Sequence, residues 1–317
     1  MSVKFVADVG GTNIRLAQTQ DGKLTDIKKY LCADFDTIAD AIQHYFDEFT
    51  DRTFSAGCIA IACPVTSDWV KMTNHTWQFS TQELTQVLGL EYLAVINDFT
   101  SVAYSLTVLN DEQKVQIGTG ESSPDGNIAV FGPGTGLGVE HLTQVENGWK
   151  TLDGEGGHVD FAPVDDTDLI IFKYIRNLHG RASAEEVMSG RGLLHIYQAL
   201  AEHRGISPTI DEPAEVTLKA LSGECEVCVD SLHQFCRIMG SFAGNLALNL
   251  ATTGGVYIGG GIAPRFVDFL QSSDFRQRFE SKGRFEHYVK PIPTYIITEP
   301  DHGLLGAAAY LEQHYAS

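Results

Sequence analysis

The chain has 317 residues, of which 43% are hydrophobic, so it can bury a sizeable core, and its length favours about two domains. Its 22 basic and 41 acidic residues give a net charge of −19, which argues against nucleic acid or an anionic membrane as a partner, since both attract basic patches. The sequence contains no signal-peptide core and no apolar run of about 18 residues, so we expect a cytoplasmic protein.

The chain opens with a predicted β-hairpin. Apolar residues alternate over residues 5–17 and are interrupted by Gly10 and Gly11, which Thr12 and Asn13 follow. Glycines at such a tip are expected to have positive φ and to leave backbone amides bare. Consecutive bare amides bind anions, and a threonine hydroxyl adds a donor suited to phosphate oxygens. The turn therefore predicts a phosphate site.

The next elements predict an α/β first half. Apolar side chains at helical spacing indicate a helix over residues 36–49, and short apolar runs at 58–65 and 92–98 indicate buried strands. Residues 80–83, Ser-Thr-Gln-Glu, have the pattern of a capping box that opens a helix ending at Gly89. Strands and helices alternate, which favours a parallel sheet.

Asn97 and Asp98 stand at the end of the second of these strands, just before a predicted helix over residues 99–106. Open α/β sheets bind their ligands at the carboxyl ends of strands, and a carboxylate beside an amide can hold a hydroxyl for phosphoryl transfer. Asp98 has an alternative role as the cap of the helix, for which Thr100 competes. The residues alone leave both roles open.

The second half follows a polar, glycine-rich segment over residues 110–127, which is the predicted domain boundary. Residues 128–139 again alternate as two strands, and Thr135 lies in the turn between them. The glycines of this turn are Gly132, Gly134, Gly136 and Gly138. Recurrence of strand, Gly-Thr turn and strand indicates a duplicated nucleotide-binding core. Neither turn has the P-loop or the dinucleotide-binding glycine spacing, which excludes those folds.

Residues 153–160, Asp-Gly-Glu-Gly-Gly-His-Val-Asp, interleave acidic residues and a histidine with glycines. We expect an irregular loop that apolar neighbours anchor at both ends, in which Glu155 and His158 hydrogen-bond sugar hydroxyls. Ser183 opens a further helix, and the capping-box pattern assigns Glu186 the reciprocal bond to Ser183. Glu185 is then left free, with compensation of the helix dipole as its alternative role.

The last elements include one long predicted helix over residues 227–251 and a strand from residue 254 that ends at three glycines, with Pro264 starting the next helix. The glycines are Gly259, Gly260 and Gly261. The six cysteines mostly lie in apolar runs, which is typical of reduced, packed thiols, and the C-x-x-C at 225–228 has no second pair at zinc spacing.

Six motifs, in order along most of the chain, resemble the bacterial ATP-dependent glucokinase family: Asp8-Val-Gly-Gly-Thr-Asn, Ile96-Asn-Asp-Phe, Gly132-Pro-Gly-Thr-Gly-Leu-Gly, Gly154-Glu-Gly-Gly-His-Val-Asp-Phe, Ser183-Ala-Glu and Gly259-Gly-Gly-Ile-Ala-Pro-Arg-Phe. The resemblance implies the sugar-kinase, actin and heat-shock-chaperone ATPase fold, which is ribonuclease H-like, with two α/β domains across a cleft. We expect a small domain over residues 1–110, joined by the C-terminal helix at about 300–317, and a larger domain over 111–299.

The same resemblance implies the reaction and the roles of the site residues. Asp98 would be the general base that takes the proton from the 6-hydroxyl of D-glucose, and ATP with Mg²⁺ would supply the phosphoryl group in the first step of glycolysis. Asp8 would lie near Mg²⁺, through water. The other sugar hydroxyls would be held by Asn97, Glu155, His158 and Glu185. The nucleotide would be bound by Gly10, Gly11, Thr12, Asn13, Gly132, Gly134, Thr135 and Gly136, with Gly259, Gly260 and Gly261 against the adenosine.

Two kinds of alternative function remain: a kinase for another sugar, and a protein of another class with the same fold. The same scaffold suits a kinase for another hexose, such as mannose or N-acetylglucosamine. A sugar-sensing regulator would be expected to have a DNA-binding segment before Phe5, and a chaperone-like ATPase a peptide-binding domain after Ser317. A related group of sugar kinases and repressors has a zinc-binding cysteine cluster, but this chain has no cysteine between Cys63 and Cys225, so we expect no zinc. Homodimers are typical of the family.

Overall fold

The computed structural model describes residues 2–315. Its strands are β1 (Ser2–Val9), β2 (Asn13–Gln20), β3 (Lys23–Leu31), β4 (Thr53–Ile61), β5 (Trp69–Lys71), β6 (Gln78–Ser80), β7 (Tyr92–Asn97), β8 (Lys114–Ile117), β9 (Ile128–Pro133), β10 (Leu137–Val145), β11 (Gly148–Thr151), β12 (Gly255–Ile258) and β13 (Thr294–Ile297). Its α-helices are α1 (Ile38–Asp47), α2 (Thr81–Val87), α3 (Asp98–Ser105), α4 (Asp166–His179), α5 (Ala184–Val187), α6 (Gly190–His203), α7 (Pro213–Leu221), α8 (Glu226–Leu250), α9 (Val267–Ser272), α10 (Phe275–Glu280), α11 (Glu286–Val289) and α12 (His302–His314).

The chain divides into two compact units. The first consists of Met1–Asn110, Asn147–Trp149 and Glu299–Ser317, and the second of Asp111–Glu146 and Lys150–Thr298. Residues 1, 316 and 317, which include the end of the segment expected as the C-terminal helix, lie outside the described residues.

The first unit is built on a five-stranded sheet of order β3-β2-β1-β4-β7. Strand β1 is antiparallel to β2 and parallel to β4, which is parallel to β7. The hairpin and the parallel sheet expected in this half are therefore confirmed. A separate ribbon pairs β5 with β6.

The second unit repeats this arrangement in a six-stranded sheet of order β11-β10-β9-β12-β13-β8. Strand β9 forms an antiparallel hairpin with β10, and β12 and β13 continue the sheet in parallel with β9. Strand β8 adds an antiparallel edge. The common strand order confirms the duplication that the two glycine turns indicated.

Alternation along β1 sends successive side chains to opposite faces of the first sheet. Phe5 and Val9 lie in a buried cluster with Ile42 of α1. Val6, on the other face, lies in a cluster with Leu304 of α12. Burial of each large apolar side chain stabilises the fold by about 1.5–3 kcal/mol, so both helices are held by the two faces of one strand.

Helix α12 packs closely on α3 because it presents glycines to it. A Cβ on Gly306 would lie 1.6 Å from the Ser101 carbonyl oxygen. The Ser101 hydroxyl donates a hydrogen bond to the Gly303 carbonyl at 2.6 Å. The contact holds α3, whose first residue is Asp98.

Helix α8 forms the centre of the second unit and confirms the long helix predicted there. The residues expected on one face, which include Phe235 and Met239, are buried. Gly240 and Gly244 allow the close approach that was predicted, since a Cβ on either would lie 2.5 Å or less from a carbonyl oxygen of α10.

The six cysteines are free and five are buried, consistent with packed thiols. The turn after β12 is a 3₁₀ helix over Ala263–Phe266 with Pro264 in its first turn, and α9 follows it. Within residues 2–315, no helix combines the length and the apolar character needed to cross a membrane.

Candidate active site

The first glycine turn joins β1 to β2 with bare amides at its tip. The Gly10 amide donates to the Asn13 carbonyl at 2.9 Å, and no described residue accepts a hydrogen bond from the amides of Gly11 or Thr12. The expected positive φ is wrong for both glycines. Space is limited instead, because a Cβ on Gly11 would lie 3.1 Å from that of Asn74 and would need Asn74 to shift slightly.

The second glycine turn joins β9 to β10 in a similar way. The Gly134 amide donates to the Gly136 carbonyl at 2.8 Å, and within residues 2–315 the amides of Thr135 and Gly136 have no acceptor. None of its four glycines has positive φ, so that expectation is wrong here too. A Cβ on Gly136 would lie 2.6 Å from Oε2 of Glu185, so a side chain there would displace the Glu185 carboxylate.

The glycines that end β12 pack directly on the second glycine turn. The Gly259 amide donates to the Phe131 carbonyl at 2.8 Å. Gly260 does have positive φ, at 77°, and a Cβ there would lie 2.6 Å from the Pro133 carbonyl oxygen. Gly261 faces open space, with no atom within 4 Å of its Cβ position. Two independent constraints therefore require glycine at 260.

Asn97 is the residue that caps α3; neither Asp98 nor Thr100 does. Its side-chain oxygen accepts from the Phe99 amide at 2.9 Å, and its Nδ2 donates to the Cys63 carbonyl at 3.2 Å and to Oδ1 of Asp98 at 2.8 Å. Asp98 already lies in the first helical turn. Its Oδ1 also accepts from Phe99, whereas no described residue donates to its Oδ2. One carboxylate oxygen is anchored and the other is free.

Asp8 and Asp98 are carboxylates of the first unit whose pKa values are both raised. Burial, and then repulsion by Asp8, raise the pKa of Asp98 to about 6. Burial also raises the pKa of Asp8, whereas interactions with Arg15 and His302 lower it. A Cβ on Gly303 would lie 3.0 Å from Cγ of Asp8, so the start of α12 is pressed against this carboxylate. Sequence reasoning missed His302 and Gly303, since nothing local connects them to Asp8.

The loop over residues 153–160 is anchored at both ends, as predicted. The Leu152 amide donates to the His141 carbonyl, and the Phe161 amide to the Ala182 carbonyl, both at 2.9 Å. The interior is more regular than expected, because Gly156–His158 forms a 3₁₀ turn.

The loop brings Glu155 and His158 to the second glycine turn. Their side chains are 73% and 55% exposed, with His158 Nε2 4.0 Å from Glu155 Oε2. A Cβ on Gly157 would lie 2.0 Å from the Leu137 carbonyl oxygen, so the loop lies directly on β10. The Leu137 amide donates to Oε2 of Glu185 at 3.0 Å. Glu155, His158 and Glu185 are thus gathered around one strand end.

Two expectations for α5 are wrong. Glu185 is not free, because it accepts the hydrogen bond from the backbone at the second glycine turn. Ser183 does accept from the Glu186 amide at 3.4 Å, but the Glu186 carboxylate binds Arg191 at 2.7 Å and gives no reciprocal cap. An ion pair with a guanidinium is stronger than a hydrogen bond to a neutral amide, so the Glu186 carboxylate binds Arg191 instead of capping the helix.

Glu140 is a buried acid beside this loop that sequence reasoning missed. It is 3% exposed, and its Oε1 accepts from the His141 amide at 2.8 Å. Burial raises the pKa of Glu140 to about 8. The hydrogen bond from the His141 amide lowers this pKa, and the nearby Asp153 and Glu155 raise it. Glu140 follows the buried Val139 in β10, and strand alternation alone predicts an outward side chain at 140.

The predicted site residues fall into two groups, one in each unit. The first unit holds Asp8, Gly10, Gly11, Thr12, Asn13, Asn97 and Asp98, and the second holds the remainder. A cavity of about 380 Å³ in the first unit, between α1, α2 and the β5-β6 ribbon, is lined by none of them.

Comparison with known proteins gives one consistent result. Residues 5–314 match a family model described as Glucokinase. The glucokinase of Colwellia psychrerythraea is 50% identical over an alignment of 319 residues, and the match covers 98% of this chain and 96% of that protein. A glucokinase crystal structure from an Antarctic psychrotroph is 37% identical, with a TM-score of 0.92, and covers 98% of this chain and 99% of its own. A ROK family glucokinase from Streptomyces griseus, solved with glucose and AMPPNP, shares the fold at 20% identity, with a TM-score of 0.63 and coverage of 97% and 98%.

Proposed function

The chain belongs to the glucokinase family and is an ATP-dependent sugar kinase with the actin-like ATPase fold, and we propose that it transfers the γ-phosphoryl group of ATP to the 6-hydroxyl of D-glucose. The observation that supports this most is the 50% identity to a glucokinase along nearly the whole chain. A kinase for another hexose, such as mannose or N-acetylglucosamine, is the alternative.

The two glycine turns are proposed to bind the triphosphate. Each presents two bare backbone amides beside an exposed threonine, at Thr12 and Thr135. Such concavities attract anions without lysine, which suits a chain of net charge −19. The contact of Gly260 with Pro133 places a further glycine turn beside the second of them, where the adenosine would be accommodated.

Asp8 is proposed to face Mg²⁺ bound to ATP, through water. The residues fit a magnesium ion, because oxygen donors are what it prefers and the carboxylates of Asp8 and Asp98 repel each other without a nearby ion. Mg²⁺, when bound, neutralises charge on the β- and γ-phosphoryl oxygens.

Asp98 is proposed as the general base. Its Oδ2 takes the proton of the 6-hydroxyl while that oxygen bonds the γ-phosphorus and the bond from the γ-phosphorus to the β-phosphoryl oxygen breaks, which yields glucose 6-phosphate and ADP. The hydrogen bonds of Asn97 and Phe99 to Oδ1 fix the carboxylate and leave Oδ2 available. With a pKa of about 6, Asp98 is mostly charged, and therefore able to accept a proton, at pH 7.

Glu155, His158 and Glu185 are proposed to bind other sugar hydroxyls, together with Asn97. We expect Glu155→Gln to raise the KM for glucose at least about tenfold, because an ionised acceptor makes the stronger hydrogen bond, while the KM for ATP stays close to wild type. Glu146→Gln, the same change at an exposed site in the second unit, is the matched control. Steady-state kinetics measure both, and an unchanged glucose KM in Glu155→Gln would remove Glu155 from sugar binding.

A coupled assay for ADP release tests the whole proposal. With ATP and Mg²⁺ present, we expect rapid release only when glucose is added, and slower release with mannose or N-acetylglucosamine at equal concentration. A faster rate with another hexose would favour the alternative. Equal release with and without sugar would indicate an ATPase.

We also propose that the protein works in the cytoplasm as a homodimer and performs the first step of glycolysis. These proposals follow from the family alone. Light scattering of the purified protein measures its molar mass in solution, and a value near the 34.7 kDa of one chain would contradict the dimer.

A further inference from the structure

Three helices of the second unit bring together two histidines and a glutamate that have no assigned role in the proposed reaction. His179 ends α4, Glu186 lies in α5 and His195 lies in α6. One donor atom from each lies within 4.8 Å of the others. We propose that His179, Glu186 and His195 form a binding site for a zinc-class divalent cation.

The separations suit tetrahedral coordination. Nε2 of His179 lies 3.4 Å from Oε2 of Glu186, and Nδ1 of His195 lies 3.8 Å from the same oxygen. Nδ1 of His195 also lies 3.3 Å from the Glu186 carbonyl oxygen, so metal binding requires this nitrogen to be unprotonated and to give up that contact. Zinc with bonds of about 2.0–2.1 Å holds its donors about 3.4 Å apart. The pair of His179 and Glu186 already has that spacing, and the pair of His195 and Glu186 is about 0.4 Å wider. His179, whose side chain is 38% exposed, has room to approach His195.

Glu186 has a buried oxygen that the protein leaves unsatisfied. No described residue makes a hydrogen bond with Oε2, although solvent does not reach that atom. A buried acceptor without a partner is unfavourable, and a bound ion is one way to satisfy it. The oxygen is the one that both histidines approach.

The surroundings favour a cation with nitrogen ligands. Two imidazoles and one carboxylate are donors typical of zinc, whereas magnesium and calcium prefer oxygen alone. Arg191 binds the other oxygen, Oε1, of Glu186 at 2.7 Å. Carboxylates that ligate metals are commonly held in this way by a second partner, so Arg191 orients the ligand without occupying Oε2.

This site differs from the zinc site that the sequence argued against. That expectation concerned a cysteine cluster, whereas the ligands here come from histidine and glutamate. The simplest competing interpretation is an ion pair in which a protonated His179 contacts Glu186. Metal binding distinguishes the two, because an ion pair needs no cation from solution.

Titration of the reduced, full-length protein with Co²⁺, followed by displacement with Zn²⁺, tests the proposal. We expect one equivalent of Co²⁺ to give the intense visible absorption of tetrahedral coordination. His179→Gln should weaken Zn²⁺ affinity at least about a hundredfold. Because His179 is partly exposed, this variant should stay folded, which circular dichroism checks; His195→Gln, at a site that is 7% exposed, is the second variant.

His203→Gln is the matched control, since it replaces an exposed histidine of the same helix, α6, and should leave affinity unchanged. The proposal is overturned if wild type binds neither ion at micromolar concentration, or if His179→Gln and His195→Gln bind as tightly as wild type. Absorption from thiolate-to-cobalt charge transfer would also overturn it, because the ligands would then be cysteines.

Discussion

Asp98 is held by one carboxylate oxygen and free at the other, which makes it the residue where the proposed chemistry is most open to test. We expect Asp98→Asn to lower kcat at least about a hundredfold while the KM for glucose changes little, because asparagine keeps the shape but cannot accept the proton. Asp166→Asn is the matched control, since Asp166 is the first residue of α4 as Asp98 is of α3, and it is exposed. Steady-state kinetics decide, and a variant that keeps most of its turnover would remove Asp98 from the role of base.

The raised pKa of Asp98 also makes a prediction about stability. The folded protein holds this proton up to about pH 6, whereas the unfolded chain loses it near 3.8, so the ionised carboxylate destabilises the fold as pH rises through that window. Asp98→Asn should therefore be more stable than wild type at pH 7, by up to about 3 kcal/mol, with the difference shrinking towards pH 4. Urea unfolding at pH 7 and pH 5 measures it. A less stable variant at pH 7 would mean that Asp98 contributes favourable contacts that outweigh its burial.

Single residues show where sequence patterns stop being informative. Both glycine turns were located from the alternation of their strands, yet the reason for glycine was misjudged. A side chain at position 11 would crowd Asn74, and one at position 136 would displace the Glu185 carboxylate; both neighbours are distant in sequence. The same holds for Glu185, whose bond to Leu137 spans 48 residues. Contacts between remote segments decide such details, and no local pattern encodes them.

At the scale of elements, the contact of α12 with α3 links the end of the chain to the proposed base. We expect Gly306→Ala to destabilise the protein by about 1–3 kcal/mol, because a Cβ 1.6 Å from the Ser101 carbonyl forces the two helices apart. Gly154→Ala is the control, since its Cβ position has no neighbour within 4 Å and its φ is ordinary. Thermal unfolding compares the two, and an equal melting temperature for Gly306→Ala and wild type would show that the contact yields without strain.

Elements were easier to predict than their ends. The helix predicted over residues 227–251 is α8, Glu226–Leu250, because a long periodic pattern averages over many side chains. Capping was less predictable, since it depends on one or two competing bonds. Ser183 behaves as the pattern requires, but Glu186 prefers Arg191, which lies on the next helix.

At the scale of the whole molecule, the duplication was predictable because each half of the sequence repeats a strand, a Gly-Thr turn and a second strand. The two sheets have the same strand order around these hairpins. The motifs then identified the family, since six of them occur in order. Chemistry that depends on tertiary packing was not predictable. The buried Glu140 and the cluster of His179, Glu186 and His195 arise where separate elements meet, and their residues form no motif in the sequence.

The net charge of −19 makes a prediction that concerns the whole surface. MgATP is an anion and glucose is neutral, so the negative long-range field of the protein slows the binding of MgATP and leaves that of glucose unaffected. The Debye length falls from about 30 Å at 0.01 M salt to about 8 Å at 0.15 M, which screens that repulsion. We expect kcat/KM for MgATP to rise severalfold over this range, measured at saturating glucose, while kcat/KM for glucose at saturating MgATP stays within about twofold. A fall in kcat/KM for MgATP with added salt would mean that local positive potential at the glycine turns outweighs the total charge, and a parallel change for glucose would point to an effect on the fold.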